Sequence, residues 1–351
     1  MRSTPEPAAT PNDPTRLRRR DLLTLGVRPT APAFEAGPFA SDHWIRVSRT
    51  AMACRFEVTL AGEHARHVPL AREALREADR LEASLSVFRE SSDLVELNRT
   101  AGARPVATDP ELFDLIARCR ELHARTAGAF DPTSTPLSRC WGFLARQGRL
   151  PTAEDIEAAR ARVGMDGVAL DAAQRTVHLT RPAMELNLGS IGKGYAVQRI
   201  ADHLAARGVR HALVSAGASS IVALGGRGSG WPIDLCSRQR AGARLARLHL
   251  RHGALGTSGA GEQFFEVDGR RYGHVLDPRT GWPASGVVSA SVICGDGAEA
   301  DALATAFLVG GPALARDYCA AHPRTLALIT LEGGERPEEI GAYAGAVVED
   351  L

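Results

Sequence analysis

Asp301 and Thr305, the ends of the stretch DALAT (301–305), form the sharpest chemical pairing in the sequence. Four residues apart on a helix, they share a face and set a carboxylate beside a hydroxyl. Hard oxygen donors in that small number suit Mg²⁺, which keeps several waters and accepts substrate phosphate oxygens. The same residues also have ordinary uses, since a first-turn Asp favours the helix dipole and a helical Thr can bond a backbone carbonyl. A second candidate is NLGSIGKGYA (187–196), with three glycines around Lys193. Gly189 and Gly192 are too close for G-x-x-x-x-G-K-[ST], and Lys193 is followed by Gly194; nor does the stretch spell G-x-G-x-x-G. A nucleoside triphosphate loop and a nicotinamide fingerprint are thereby excluded. What is left is a Gly-rich turn whose purpose the rest of the chain must supply; read together with DALAT, Gly189 and Gly192 would let a ligand approach the backbone. His274 opens the polar loop HVLDPRTGWP (274–283) and suits either a general base near neutral pH or a core-edge histidine. GAFDPTSTPL (128–137) and GTSGAGEQFFEVDG (256–269) read as small-residue loops built on Asp-Pro and Asp-Gly turns.

The elements that must position these groups follow from periodicity. IRVSRTAMACRFEVTL, from about Trp44, reads as strand, turn, strand. Leu75, Ala78, Leu81 and Leu85 line one face of a helix, and Leu112, Leu115, Ile116, Cys119 and Leu122 line another over roughly 110–126. Thr152 and Asp155 have capping-box spacing at the start of a third helix. Residues 184–188 read as a strand entering the glycine turn and 195–207 as the helix leaving it. Short strands are predicted at 211–215, 231–235, 245–250, 264–267 and 287–293, separated by Gly-rich turns. A helix at about 298–309 carries Asp301 and Thr305 and stops at Gly310-Gly311. More strands than helices, many in hairpins, make the fold class α+β rather than a doubly wound parallel sheet.

Bulk properties set the limits. The 351 residues are 44% hydrophobic and 24% charged with a net charge of +1, so no global field recruits nucleic acid or an anionic membrane. Six cysteines are scattered without C-x-x-C or zinc spacing and read mainly as free, buried thiols. No run reaches the length of a transmembrane helix. Residues 1–40, rich in Pro, Ala, Thr and Arg, are expected to be a disordered tail, with one packed domain over 41–351. RRRDLLTLG (18–26) looks like the start of a twin-arginine export signal, but LLTLGV is a short apolar run before Arg28. A cytoplasmic location is therefore favoured over export to the cell envelope.

The order of blocks along the chain is more informative than any one of them. MACRFEVTL, SVFRESSDLVELN, GAFDPTSTPL with WGF, ELNLGSIGKGYAVQRIADHL, LGTSG with FFEVDGRRYGHVLDPRTG, and DALATAFLVGG resemble the successive signatures of the ApbE family of FAD:protein FMN transferases. The resemblance runs from about residue 50 to about 312. It implies a T-fold-like α+β architecture, two intimately packed α/β subdomains with the FAD and Mg²⁺ site in the cleft between them. It further implies that FAD is a substrate, whose FMN moiety passes to a Thr or Ser hydroxyl of an acceptor protein with release of AMP. That acceptor would carry a D-x-x-[ST]-G-A-[ST]-like segment.

Carried onto this chain, the resemblance assigns Asp301, Thr305 and Ser190 to Mg²⁺, the last through its main-chain carbonyl. Asn187 and Lys193 fall at nucleotide-contacting positions, and Met52, Phe88, Ala129, Phe130, Asp131 and Leu276 at positions lining the FAD site. His274 is the candidate base for the acceptor hydroxyl, with Asp301 as the alternative. Departures from the family pattern are Phe88 for a common Tyr, Asn187 for a frequent Asp, Met-Ala-Cys (52–54) for Met-Gly-Thr, and Ala218-Ser219-Ser220 for a Gly-Gly-Asp type ending. Those at Phe88, Asn187 and Ala218-Ser219-Ser220 bear on FAD affinity more than on the metal pair. Two other activities fit the same residues: hydrolysis of FAD to FMN and AMP, and flavin binding without catalysis.

Overall fold

The computed structural model describes residues 27–29, 43–226, 228–236, 244–261 and 263–349. Eight strands form one antiparallel sheet in the spatial order Glu338–Gly341, Leu326–Leu331, Val287–Cys294, Gly253–Gly259, Ser220–Leu224, Ala212–Ala216, Cys54–Ala61 and Trp44–Ala51. Alternation along the central strands dictates what covers each face. Ala212, Val214, Val222, Ala254, Val292, Ala327 and Ile329 join the main hydrophobic core, which the helices Arg76–Leu85, Pro110–Arg125, Gly192–Ala206 and Gly297–Ala321 complete. Leu213, Ile221, Ala223, Leu255, Ile293, Leu326 and Leu328 point the other way. There they meet Ile233, Leu235, Leu248 and Leu250 of a smaller sheet, ordered Val27–Pro29, Trp231–Cys236, Arg244–Leu250, Ala346–Glu349. Both faces of the central part of the sheet are covered, so Ala212–Ala216, Ser220–Leu224 and Leu326–Leu331 are buried almost throughout although the sheet is antiparallel.

A satellite core of Leu137, Trp141, Phe143, Ile156, Tyr272 and Leu276 ties the segments around 134–163 to the hairpin Phe264–Val267/Arg270–Gly273. The hairpin turns at Asp268-Gly269, both with positive φ (51° and 74°), as an Asp-Gly turn of the primed type does. The first hairpin turns at Met52-Ala53 with φ of 47° and 56°, a geometry in which an L-residue with a Cβ is strained. The capping box at Thr152 and Asp155 is formed, and none of the six cysteines, all of them among the described residues, is in a disulfide. No helix among the described residues is long and apolar enough to cross a membrane.

Three readings of the sequence change. Residues 184–188 are not a strand: their backbone is paired by a side chain, Asn98, whose Nδ2 donates to Leu186 O (2.9 Å) and whose Oδ1 accepts from Leu186 N (2.8 Å). GTSG (256–259) is not a loop but the end of the interior strand Gly253–Gly259. A Cβ on Gly256 would stand 2.4 Å from the backbone of Ala300, so a residue with no side chain is needed where the long helix lies on the sheet. That helix also runs past Gly310-Gly311 to Ala321, with a break at Gly311 (φ 68°, ψ −168°) followed by Pro312. Of the expected tail, Val27–Pro29 pairs as a strand with Ile233–Leu235; its remainder to residue 40, including 18–26, lies outside the described residues.

Candidate active site

The two helices that carry the glycine turn and DALAT pack closer than side chains allow. A Cβ on Gly194 would stand 2.0 Å from Gly297 O and 2.8 Å from Asp301 Cγ, and one on Gly297 would stand 2.4 Å from Gly194 O. The contact brings Asp301 against the first turn of the Gly192–Ala206 helix, whose leading amides have no intrahelical acceptors. The Gly194 amide donates to Asp301 Oδ2 (2.6 Å), and the Ser220 hydroxyl donates to Asp301 Oδ1 (2.7 Å). Gly194 is thus the glycine that needs to lack a Cβ for packing, whereas a Cβ on Gly192 would meet open space. The role the spacing suggested for Gly192 belongs to its neighbour, and toward a helix rather than a ligand.

Asp301 is 7% exposed and sits at the floor of a cleft of about 300 Å³. Burial pushes its carboxyl up to about 6, against the opposing pull of Lys193, the Ser220 hydroxyl and the Gly194 amide. Lys193 Nζ donates to Ser219 Oγ (2.6 Å). Thr305 Oγ1 lies 3.0 Å from Ser258 Oγ and also bonds Asp301 O (3.4 Å). The opposite wall is the HVLDPRTGWP loop, locked by its own bonds. Gly281 N donates to Asp277 O (2.7 Å), Asp277 N to Trp282 O (2.8 Å), and the Asp277 carboxylate accepts from Arg279 N and Nε. The buried Trp141 indole donates to Gly281 O (2.8 Å), which pins the loop to the satellite core. At its start, His274 Nδ1 lies 3.2 Å from Gln263 O. A carbonyl only accepts, so Nδ1 carries the proton and Nε2 is the basic nitrogen of the neutral ring.

The cleft is lined by Ala129, Asp131, Asn187, Ser190, Lys193, His274, Leu276, Asp301 and Thr305 among others, so these sequence-assigned residues are brought together. Asp131 spends its carboxylate on the loop: Oδ1 accepts from Thr133 N and Oγ1, and Oδ2 lies 3.4 Å from His123 Nδ1. Burial raises its carboxyl, opposed by those Thr133 bonds and by His123. Asn187 Oδ1 accepts from Gly189 N (2.9 Å) and shapes the glycine turn. Three residues stand apart from the lining. Phe130 is fully buried in the main core and offers no ring to a ligand. Phe88 is 78% exposed just past the Arg76–Leu85 helix. Met52 occupies the strained hairpin turn and donates its amide to Glu82 (2.9 Å). The sequence reading had no role for Ser134, Ser138, Thr257 or Ser258, which also line the cleft. Lone hydroxyls in loops and strands carry no signal of their own until the fold collects them.

The donor set fits Mg²⁺. No group of three or more His, Cys, Asp or Glu placed to hold an ion occurs among the described residues. One buried carboxylate and one hydroxyl on successive turns suit an ion that completes its shell with water and phosphate oxygens. Burial pushes the thiol of the half-buried Cys54 nearby up to about 11, which disfavours its thiolate.

The geometry has counterparts in known proteins. A model of the ApbE family matches residues 52–330. The FAD:protein FMN transferase of Escherichia coli K12 is 29% identical over 256 residues, 71% of this chain and 73% of the relative. That of Treponema pallidum is 34% identical over 247 residues, 66% and 68% of the two chains. The crystal structure of the ApbE protein of Thermotoga maritima superposes with a TM-score of 0.76 at 30% identity, covering 85% of this chain and 97% of that one. The apo flavinyl transferase ApbE of Pseudomonas stutzeri gives 0.74 at 30%, covering 85% and 95%. With the family model matched over most of its length and its α+β fold shared with solved members, this chain belongs to the ApbE family.

Proposed function

We propose that the protein is an Mg²⁺-dependent flavin transferase that moves FMN from FAD to a Ser or Thr hydroxyl of an acceptor protein and releases AMP. The observation that carries this reading is the buried Asp301 carboxylate at the cleft floor, one helical turn from Thr305 and flanked by Lys193. Aliphatic hydroxyls are poor nucleophiles and pyrophosphates repel them, so the site must neutralise charge and align the two partners. Asp301, Thr305 and the Ser190 carbonyl would hold the ion, which when bound supplies charge neutralisation at the pyrophosphate. Lys193 adds a cation on the nucleotide side, Asn187 shapes the turn beneath it, and Ala129, Asp131 and Leu276 bound the flavin side. His274 Nε2 accepts the proton of the attacking hydroxyl as its oxygen bonds to the FMN phosphorus. The bridging P–O bond then breaks toward AMP, which leaves with the bonding pair.

The test is incubation of the protein with FAD, Mg²⁺ and an acceptor bearing D-x-x-[ST]-G-A-[ST], followed by intact mass and AMP quantification. One FMN per acceptor and an equal amount of AMP are expected. Asp301→Ala should abolish both, and His274→Gln should slow transfer by about 10²- to 10⁴-fold, the range of a lost general base. Wild-type protein that leaves the acceptor unmodified sinks the proposal, and AMP release at an undiminished rate without acceptor would make water the true acceptor.

A further inference from the structure

Ser219 and Ser220 enter the strand Ser220–Leu224 at the cleft and are 4% and 0% exposed. Their hydroxyls part company. Ser219 Oγ accepts from Lys193 Nζ at 2.6 Å, whereas Ser220 Oγ donates to Asp301 Oδ1 at 2.7 Å; the two oxygens lie 3.4 Å apart. An ammonium only donates and a carboxylate only accepts, so these directions are fixed by the end groups. The result is a line of cation, hydroxyl, hydroxyl, carboxylate. Among the described residues no carboxylate oxygen is within 4.0 Å of Lys193 Nζ, whereas Arg49, Arg80, Arg118, Arg139 and Arg247 are each so paired. Two neutral spacers hold Lys193 and Asp301 out of direct contact, so that each acts on the other only across them, while both line the cleft.

We propose that Ser219 and Ser220 are positioning residues with separate duties. Ser219 holds Lys193 as a cation with no carboxylate in contact, for the diphosphate of the nucleotide, and Ser220 fixes Asp301 Oδ1 for the divalent ion. The inference rests on the flavin-transfer reading of the cleft but is tested by binding rather than turnover. FAD affinity is measured by flavin fluorescence in EDTA, with riboflavin as the phosphate-free control. Mn²⁺ affinity is measured by electron paramagnetic resonance without flavin.

Ser219→Asp places a carboxylate against Lys193 and should weaken FAD binding by at least about tenfold, the scale of one new charge pair in a half-buried site, with riboflavin unaffected. Ser220→Ala should weaken Mn²⁺ binding by about tenfold, as loss of an outer-sphere hydrogen bond to a ligand does, with metal-free FAD binding unchanged. Ser220→Thr, which keeps the hydroxyl, should restore Mn²⁺ affinity. If Thr fails as Ala does, or if each variant shifts both affinities alike, the hydroxyls have no separate duties and the proposal is overturned. Loss of Mn²⁺ in Asp301→Ala with none in Ser220→Ala overturns the positioning role alone. Wild-type protein without Mn²⁺ affinity overturns the metal reading as well.

Discussion

Asp301 is held by groups that favour its charge and buried in surroundings that oppose it, and the opposition is stronger. Its carboxyl rises from an ordinary 3.8 to about 6. Between those values the folded chain retains a proton that the unfolded chain has lost. Stability of the metal-free protein therefore falls as pH rises through this window and is level above it. A shift of two units corresponds to about 3 kcal/mol. Asp301→Asn can accept from Gly194 through its amide oxygen and donate to Ser220 through its amide nitrogen, so it keeps both bonds without the charge. In a chelator at neutral pH it should melt above wild type, the gap narrowing as pH is lowered from 6, while transfer is lost. Equal melting across the range would show that the buried charge carries no penalty. At this scale the sequence displayed Asp301, Thr305 and His274 as candidates, because Asp and Thr four apart on a helix share a face, and the fold brings all three to one cleft. It showed Ser219 and Ser220 only as departures from the family pattern and gave Ser258 no role, since their value lies in what faces them.

Elements explain why those residues meet. Gly194 and Gly256 are small because a helix lies on each of them. Gly194→Ala would drive a methyl group into the Gly297 carbonyl and the Asp301 carboxyl. Overpacking of this kind destabilises by about 1–3 kcal/mol, and urea unfolding should register it. Gly192→Ala meets open space in the same helix and should be neutral or stabilise by up to about 1 kcal/mol through helix propensity. Similar losses for both would refute the close-contact account. Ala53→Gly should stabilise by about 1 kcal/mol, since it removes a Cβ from a left-handed turn position, with the midpoint of unfolding as the measure. Periodicity found the helices at 75–85 and 110–126 and most hairpin strands. It missed what tertiary contacts override: the Gly-rich strand 253–259, whose small residues look like a loop, and the segment 184–188, whose strand-like composition is paired by Asn98 instead. Likewise, Phe130 and Phe88 look alike as aromatic residues of FAD-site blocks, yet one is interior packing and the other stands in solvent.

For the whole molecule, the α+β class was legible from the count and spacing of elements, but the order of the large sheet was not. Its neighbours come from distant sequence: Cys54–Ala61 lies beside Ala212–Ala216, and Gly253–Gly259 beside Val287–Cys294. No local pattern encodes such pairings. The bond from the Gly194 amide to Asp301 spans 107 residues of chain and joins two helices that reach each other only when the fold is complete. A ligand that grips both partners is consequently a removable cross-link across that span. Saturation at a hundred times its dissociation constant would add about 2.7 kcal/mol to unfolding. FAD with Mg²⁺ should therefore raise the melting temperature and slow proteolysis together, and a chelator should reverse both. The unloaded protein would then be the form most readily opened and degraded, so the supply of flavin and metal would govern how long each molecule lasts as well as whether it works.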